Sequence, residues 1–337
     1  MDTKVIKMNR RKAASMMASW AAAGACLATC TGALAQGAGY PNRTVKIINP
    51  FPPGSPVDVV ARLVAQKLQE AWGQSVVVDY KGGAGGTVGA EFVAHSPPDG
   101  YTLLVTSSST HVIAPALRKQ LPYDSVKDFV PIALVAYGPI VVVVHPSVPV
   151  KTLAEFVQYT KANPGKLAYA SSGTGTILHL GGELFQSRTG TDLLHVPYKG
   201  AVPASTDLLG GQVQAMFDSI SNAAPQVKAG KLRALAVMTP HRSPLMPDVP
   251  TTTEAGFPGL DFPAWLGVFA PAGVPRDVVT QSVKVLQLAM AQPETRERLL
   301  QSGLIPALMV EGDFMKLMVA DQKTVADLVK QAAIPLQ

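Results

Sequence analysis

Val45-Lys46-Ile47-Ile48-Asn49-Pro50-Phe51-Pro52-Pro53-Gly54-Ser55-Pro56-Val57-Asp58 is the stretch from which the fold can be read. Val45 to Asn49 is a short apolar run of strand length, and Pro50 to Gly54 is a turn. From Asp58 to Trp72 the residues Val59, Val60, Leu63, Val64 and Leu68 fall on one helical face. A strand at Ser75 to Val78 follows, then a Gly-rich turn at Gly82 to Gly89, a helix through Phe92 and a strand at Tyr101 to Thr106. Such alternation predicts an α/β fold with a mostly parallel sheet covered by helices.

A second set of units begins with the strand Ile140 to Val144. The helix Leu153 to Ala162 is closed by Asn163-Pro164-Gly165, and Leu167 to Ala170 is a strand. The small-residue turn Ser171 to Thr176 opens the helix Ile177 to Thr189. Strands are expected at Asp192 to Val196, Val213 to Phe217 and Leu232 to Val237, with a helix at Pro203 to Leu209. The strand Trp265 to Ala270 is expected to return to the first unit, and helices at Arg276 to Met290, Pro293 to Gln301 and Asp313 to Lys330 finish the chain. No internal repeat is evident.

The N-terminus predicts export. Lys4, Lys7, Arg10, Arg11 and Lys12 form a basic region, an Ala-rich stretch follows to Leu34, and Ala33-Leu34-Ala35 suits a signal peptidase cutting after Ala35. Arg10-Arg11 lacks the bulky apolar residue that follows a twin-arginine pair, and Ala23-Gly24-Ala25-Cys26 has Ala where a lipobox has Leu. Soluble export to the periplasm is therefore the expected route, with the twin-arginine and lipoprotein routes as the alternatives. Both cysteines, Cys26 and Cys30, leave with residues 1–35, so the mature chain holds neither a disulfide nor a thiol site. The leader also carries +4 of the formal charge of +6, leaving +2. A near-neutral chain of about 300 residues with few aromatics gives no electrostatic case for nucleic acid or a membrane surface. The apolar stretch Ile132 to Val144 is broken by Gly138-Pro139 and is too short to span a bilayer.

Candidate chemistry lies at two strand-to-helix turns, residues 51–58 and 171–176. Helix N-termini present unpaired N–H groups and the positive end of the dipole, worth ~0.3–1 kcal/mol each and up to ~2 when partly buried. Neither turn contains Lys or Arg, so an anion there would be held by amides and hydroxyls. Gly, Ser and Thr are also what any such connection favours, and the pattern alone leaves plain turns and an anion site equally open. The histidines show no metal-ligand spacing, no Walker A sequence occurs, and no Gly-x-Ser-x-Gly elbow or carboxylate pair marks the turns. No cofactor, no metal and no enzymatic activity are expected.

Several stretches, taken in order, carry a resemblance. They are Pro50-Phe51-Pro52-Pro53-Gly54, Gly83-Ala84-Gly85-Gly86-Thr87-Val88-Gly89-Ala90, Pro98-Asp99-Gly100-Tyr101-Thr102-Leu103-Leu104 and Leu121-Pro122-Tyr123-Asp124. Ala162-Asn163-Pro164-Gly165-Lys166-Leu167, Val196-Pro197-Tyr198-Lys199-Gly200 and Asp207-Leu208-Leu209-Gly210-Gly211-Gln212-Val213 follow. Pro250-Thr251-Thr252-Thr253-Glu254-Ala255-Gly256 and Ala270-Pro271-Ala272-Gly273-Val274-Pro275 complete the set. From Tyr40 to about Lys330 the chain resembles the Bug family, periplasmic receptors of tripartite tricarboxylate transporters.

The resemblance implies a type II-like periplasmic binding protein, a Venus flytrap of two α/β lobes joined by a hinge. Lobe 1 would comprise residues 40–139 and 263–337, and lobe 2 residues 140–262. It implies a monomer that traps a small carboxylated solute and presents it to membrane permease subunits; a sensor of the same fold is the alternative. Phe51, Pro53, Gly54 and Ser55 would line the first side, with Thr87 and the loop Ser107 to His111, Ser107, Ser109 and Thr110 foremost, behind them. Ser172, Gly173, Thr174, Gly175, Thr176, His179, Tyr198 and Asp218 would line or brace the other. Ser55 stands where the family usually has a second glycine, Pro56 donates no N–H, and Val57 lacks the hydroxyl common there. Asp58 reads as a helix cap. Two roles stay open for Asp218, receiving an amine or bonding a neighbouring turn, and two for His179, touching ligand or capping.

Overall fold

The structure is a computed structural model that describes residues 39–262, 264–331, 334 and 336. The signal peptide, its cleavage after Ala35, the Arg10-Arg11 pair and Cys26 lie outside the described residues.

Two sheets organise residues 43–337. The first contains β1 (Val45–Asn49), β2 (Val76–Tyr80), β3 (Thr102–Ser107), β4 (Phe129–Gly138), β10 (Ala264–Pro271) and β11 (Ile305–Val310), in the order β11-β4-β10-β3-β1-β2. The second contains β5 (Ile140–Val144), β6 (Ala168–Ser171), β7 (Leu194–Pro197), β8 (Ala215–Ser219) and β9 (Arg233–Val237), in the order β7-β6-β8-β5-β9. Each sheet is mixed, which corrects the expectation of mostly parallel strands. β1 pairs in parallel with β2 and β3, and β6 with β7 and β8; the remaining pairs are antiparallel. The cause is the chain path. It leaves the first sheet along β4, enters the second through β5 and comes back along β10, so β4 and β10 run in opposite senses. They lie side by side, paired from Pro271↔Phe129 to Ala264↔Gly138.

The helices are α1 (Pro56–Trp72), α2 (Thr87–Ala94), the short α3 (Ala114–Leu117), α4 (Leu153–Ala162), α5 (Ile177–Thr189), α6 (Ala201–Leu209), α7 (Ile220–Lys228), α8 (Arg276–Ala291), α9 (Pro293–Gln301) and α10 (Glu311–Gln331). A π-helical turn, Ser109–Ile113, precedes α3. Helix α1 starts at Pro56, earlier than the apolar spacing indicates, because Ser55 caps it and proline suits a first helical position.

Each sheet has its own core. Val141 to Val144, Tyr169, Phe185 and Phe217 anchor the second, and Ile48, Leu104, Trp265, Phe269 and Phe314 anchor the first. Among the described residues, some cross over. Leu180 of α5, fully buried, packs with the core of the first sheet, while Leu328 of α10 packs with that of the second. Burying such a side chain is worth ~1.5–3 kcal/mol, so the exchange ties the two halves together.

Candidate functional site

The two turns are built alike. In the first, Ser55 Oγ accepts the Asp58 N–H at 3.2 Å, and the Gly54 N–H donates to Asp58 Oδ2 at 2.8 Å. In the second, Thr176 Oγ1 accepts the His179 N–H at 3.3 Å, and the Gly175 N–H donates to His179 Nδ1 at 3.2 Å. Gly54-Ser55-Pro56-Val57-Asp58 and Gly175-Thr176-Ile177-Leu178-His179 are thus one local structure made twice. In each, a left-handed glycine (φ +80° and +79°) precedes a hydroxyl cap, and a side chain three residues beyond the cap holds the glycine amide. Asp58 and His179 each brace the glycine amide of their own turn.

The copies differ in charge. Burial pushes the Asp58 carboxyl up, but the Gly54 N–H, the Tyr80 hydroxyl and Arg62 outweigh it and hold the group below the ordinary carboxylate range. Tyr80 Oη donates to Asp58 Oδ1 at 2.7 Å, and Arg62 Nε to Oδ2 at 3.0 Å. The mouth of α1 therefore already contains an ionised carboxylate. At α5 the brace is an imidazole whose pKa burial lowers to about 4, so it is neutral at pH 7, and no acidic residue lies in the first turn. The half-charge at that helix end is left uncompensated.

The amides follow the same asymmetry. At the first turn the N–H groups of Phe51, Gly54, Ser55 and Asp58 are bonded internally. Prolines 52, 53 and 56 have none, and the Val57 N–H is the one donor of this turn without a partner among the described residues. The Gly54 amide is engaged by Asp58. At the second turn Gly173 donates to Ser171 Oγ at 3.2 Å and Thr176 to the Gly173 carbonyl at 3.2 Å, which with the Gly175 bond removes the two glycines as donors. The N–H groups of Ser172, Thr174, Ile177 and Leu178 have no partner among the described residues. The open donors are neighbours of the glycines, and the glycines supply the backbone geometry.

Behind the second turn lies a stack of rings. His179 stacks on His195 with centroids 4.1 Å apart, and His195 on Tyr169 at 4.9 Å. His195 Nε2 meets Ser171 Oγ at 2.7 Å, and Tyr169 Oη donates to Glu183 Oε1 at 2.6 Å. Gly182 makes room for this, since a Cβ there would stand 2.3 Å from the Tyr169 ring. Tyr198 Oη donates to Asp207 Oδ2 at 2.6 Å, and burial with this bond raises its pKa to about 12. Asp218 is fully buried, accepts from the Ser219 N–H and Asn222 Nδ2, and is pushed up to about 7 by burial. Both of its oxygens are thus engaged within its own turn and the helix that follows.

On the first side, Phe51 lies over Gly86 beside Thr110; a Cβ on Gly86 would meet both side chains. Thr87 Oγ1 donates to the Ala84 carbonyl, Ser107 Oγ accepts from the Ser109 N–H, and Thr110 Oγ1 donates to the Ser107 carbonyl. Pro53 is exposed and Ser55 half-buried. Ser108, which the sequence did not single out from its neighbours, is 4% exposed and its hydroxyl has no partner. Nothing in a run of four hydroxyl residues marks which one is left over.

A chamber of about 490 Å³ lies between the two halves, bounded by Ser108 on one side and Ile177 on the other. Of the expected residues, the loop Ser107 to His111 contributes Ser108; on the other side the wall begins at Ile177, next to Thr176. Its wall is mainly apolar, with Val112, Ile113, Phe262, Trp265 and Leu317 prominent. The size falls within the ~300–1,000 Å³ usual for small-molecule sites.

Residues 60–334 match the family described as tripartite tricarboxylate transporter family receptor. BugT of Bordetella pertussis is 38% identical over 270 residues, covering 80% of this chain and 83% of BugT. A solved structure of a periplasmic transporter is 43% identical with a TM-score of 0.81, covering 88% of this chain and 100% of that one. The R. palustris protein Rpa4515, solved with adipate, is 33% identical with a TM-score of 0.82, covering 88% and 99%.

Proposed function

Since the chain belongs to the tripartite tricarboxylate transporter receptor family, whose members are periplasmic binding proteins and not enzymes, we propose that it captures a small carboxylated solute between its two sheets. The mouth of α5 holds the carboxylate. The observation that carries this reading is the contrast between the turns: one helix end is filled by Asp58, while the other keeps open amides and no counter-charge. The adipate found with Rpa4515 supports the same ligand class.

The two passages between the sheets, residues 138–140 and 262–264, serve as the hinge between lobe 2 (140–262) and lobe 1. Solute in the cleft favours the closed form by its differential affinity for it, and the permease subunits of a tripartite tricarboxylate-type transporter receive that form. The protein acts as a monomer in the periplasm after removal of residues 1–35.

Thermal melting of the purified protein with a panel of carboxylic acids and their amides tests the proposal. A ligand at 100 times its Kd stabilises by about 2.7 kcal/mol, enough to raise Tm by several degrees. Acids are expected to raise it and the matching amides to leave it unchanged. A panel in which no acid stabilises the protein defeats the reading.

A further inference from the structure

The chamber beside α5 has a charge pattern that bears on what kind of acid it takes. Ser108 and Ile177, the first residue of α5 and one of the four with an open amide, both bound it. Ser108 is buried with an unpartnered hydroxyl, an independent sign that a polar group is missing there. Asp321 of α10 and the exposed Asp261 and His241 also line it. Among the described residues no Lys or Arg does. Asp321 Oδ2 accepts from Trp265 Nε1 at 3.1 Å, and its other oxygen has no partner among the described residues. The hydroxyl of Tyr137, also in the wall, has no partner among them either.

Resting on the reading of the α5 mouth as a carboxylate site, we infer that the chamber selects solutes with a single carboxylate whose far end is uncharged or carries an amine. The carboxylate meets the α5 amides and Ser108 Oγ, the body lies along Ile113, Trp265 and Leu317, and the far end faces Asp321. A second carboxylate at that end would sit beside two acidic side chains with no cation to balance it, and like charges at close range in a poorly solvated site repel strongly. An amine there gains the free oxygen of Asp321. This distinguishes the chain from the relative solved with adipate, a dicarboxylate.

Three six-carbon acids that differ only at the far end provide the test: hexanoate, 6-aminohexanoate and adipate. Calorimetric titration of the purified protein should give 6-aminohexanoate an affinity at least tenfold above that of adipate, with hexanoate also above adipate. Asp321→Asn keeps an oxygen to accept from Trp265 Nε1 and should narrow the ratio to less than threefold. The exposed Asp261→Asn should move it the same way, and Ser108→Ala should weaken all three acids alike. Adipate binding as tightly as the other two overturns the inference, as does a ratio unmoved in both aspartate variants. Failure of these three acids while others in the carboxylate panel still stabilise the protein also overturns it but leaves the carboxylate receptor standing. Failure of every carboxylic acid removes both.

Discussion

The N–H of Gly175 donates to Nδ1 of His179 at 3.2 Å, a bond that assigns the proton of the neutral ring to Nε2. The ring is locked from behind by His195, and the glycine lies at φ +79°, so this one bond sets the direction in which the neighbouring amides point.

Replacing His179 should therefore weaken binding without the side chain touching solute. His179→Ala leaves the Gly175 amide without a partner, at a stability cost of about 1–3 kcal/mol, and is expected to lower carboxylate affinity severalfold. His179→Gln, which offers an oxygen acceptor, should recover part of the loss. Titration calorimetry showing equal affinity for His179→Ala and the parent protein would remove the bracing role.

Asp218 predicts a pH dependence whose sign can be worked out. Its pKa in the folded protein is pushed up to about 7 by burial, against 3.8 in the unfolded chain. The folded state binds the extra proton between these values, so the contribution is full below pH 3.8 and is lost as pH rises through 7. Asp218→Asn mimics the protonated form. The Tm of the variant minus that of the parent should be largest near pH 8 and shrink toward pH 5; a difference flat with pH would contradict the assignment. His179 and His195, lowered to about 4 by burial, act in the opposite direction, destabilising the fold as pH falls from 6.5 toward 4. They are common to both proteins and cancel in the comparison.

Leu180 should be costly to remove for a reason its helix alone does not show. It is fully buried in the core of the sheet opposite the one its helix covers. Leu180→Ala is expected to destabilise by about 2–5 kcal/mol in urea unfolding. It should also loosen the closed form, detectable as a larger radius of gyration in small-angle scattering without solute. A destabilisation with no change in radius would limit Leu180 to ordinary core packing.

Much of this architecture was legible in the residues. Ile140 to Val144, a continuous apolar run, forms the fully buried β5, and most helices lie within a few residues of where spacing and caps put them. The misses share a cause. β4 contains Pro131 and β11 contains Pro306, which argue against strands until the tertiary setting is known. Pro131 sits where the β4–β10 register shifts, and β11 is an edge strand, both places where a missing N–H is tolerated. Helix α7 was missed with Pro225 inside it.

The two turns were legible as local structure and illegible as wiring. Both turns were marked by their glycines and hydroxyls, but which amides remain open depends on bonds from Asp58 and His179, four residues past each glycine. The duplication itself escaped notice because Gly54 to Asp58 and Gly175 to His179 share only a glycine and a hydroxyl, and their braces are chemically unlike. Ser108 needed coordinates altogether.

Asp58 can finally be regarded as a tethered competitor. Held four residues from the amide it occupies, it acts at the high effective concentration of any intramolecular partner, which millimolar acetate or phosphate in solution cannot match. Buffer anions should accordingly interfere at the mouth of α5 and nowhere else along this pair of turns. Apparent solute affinity plotted against buffer anion should follow displacement from one locus, and binding constants for this protein will be comparable only between buffers of matched anion content.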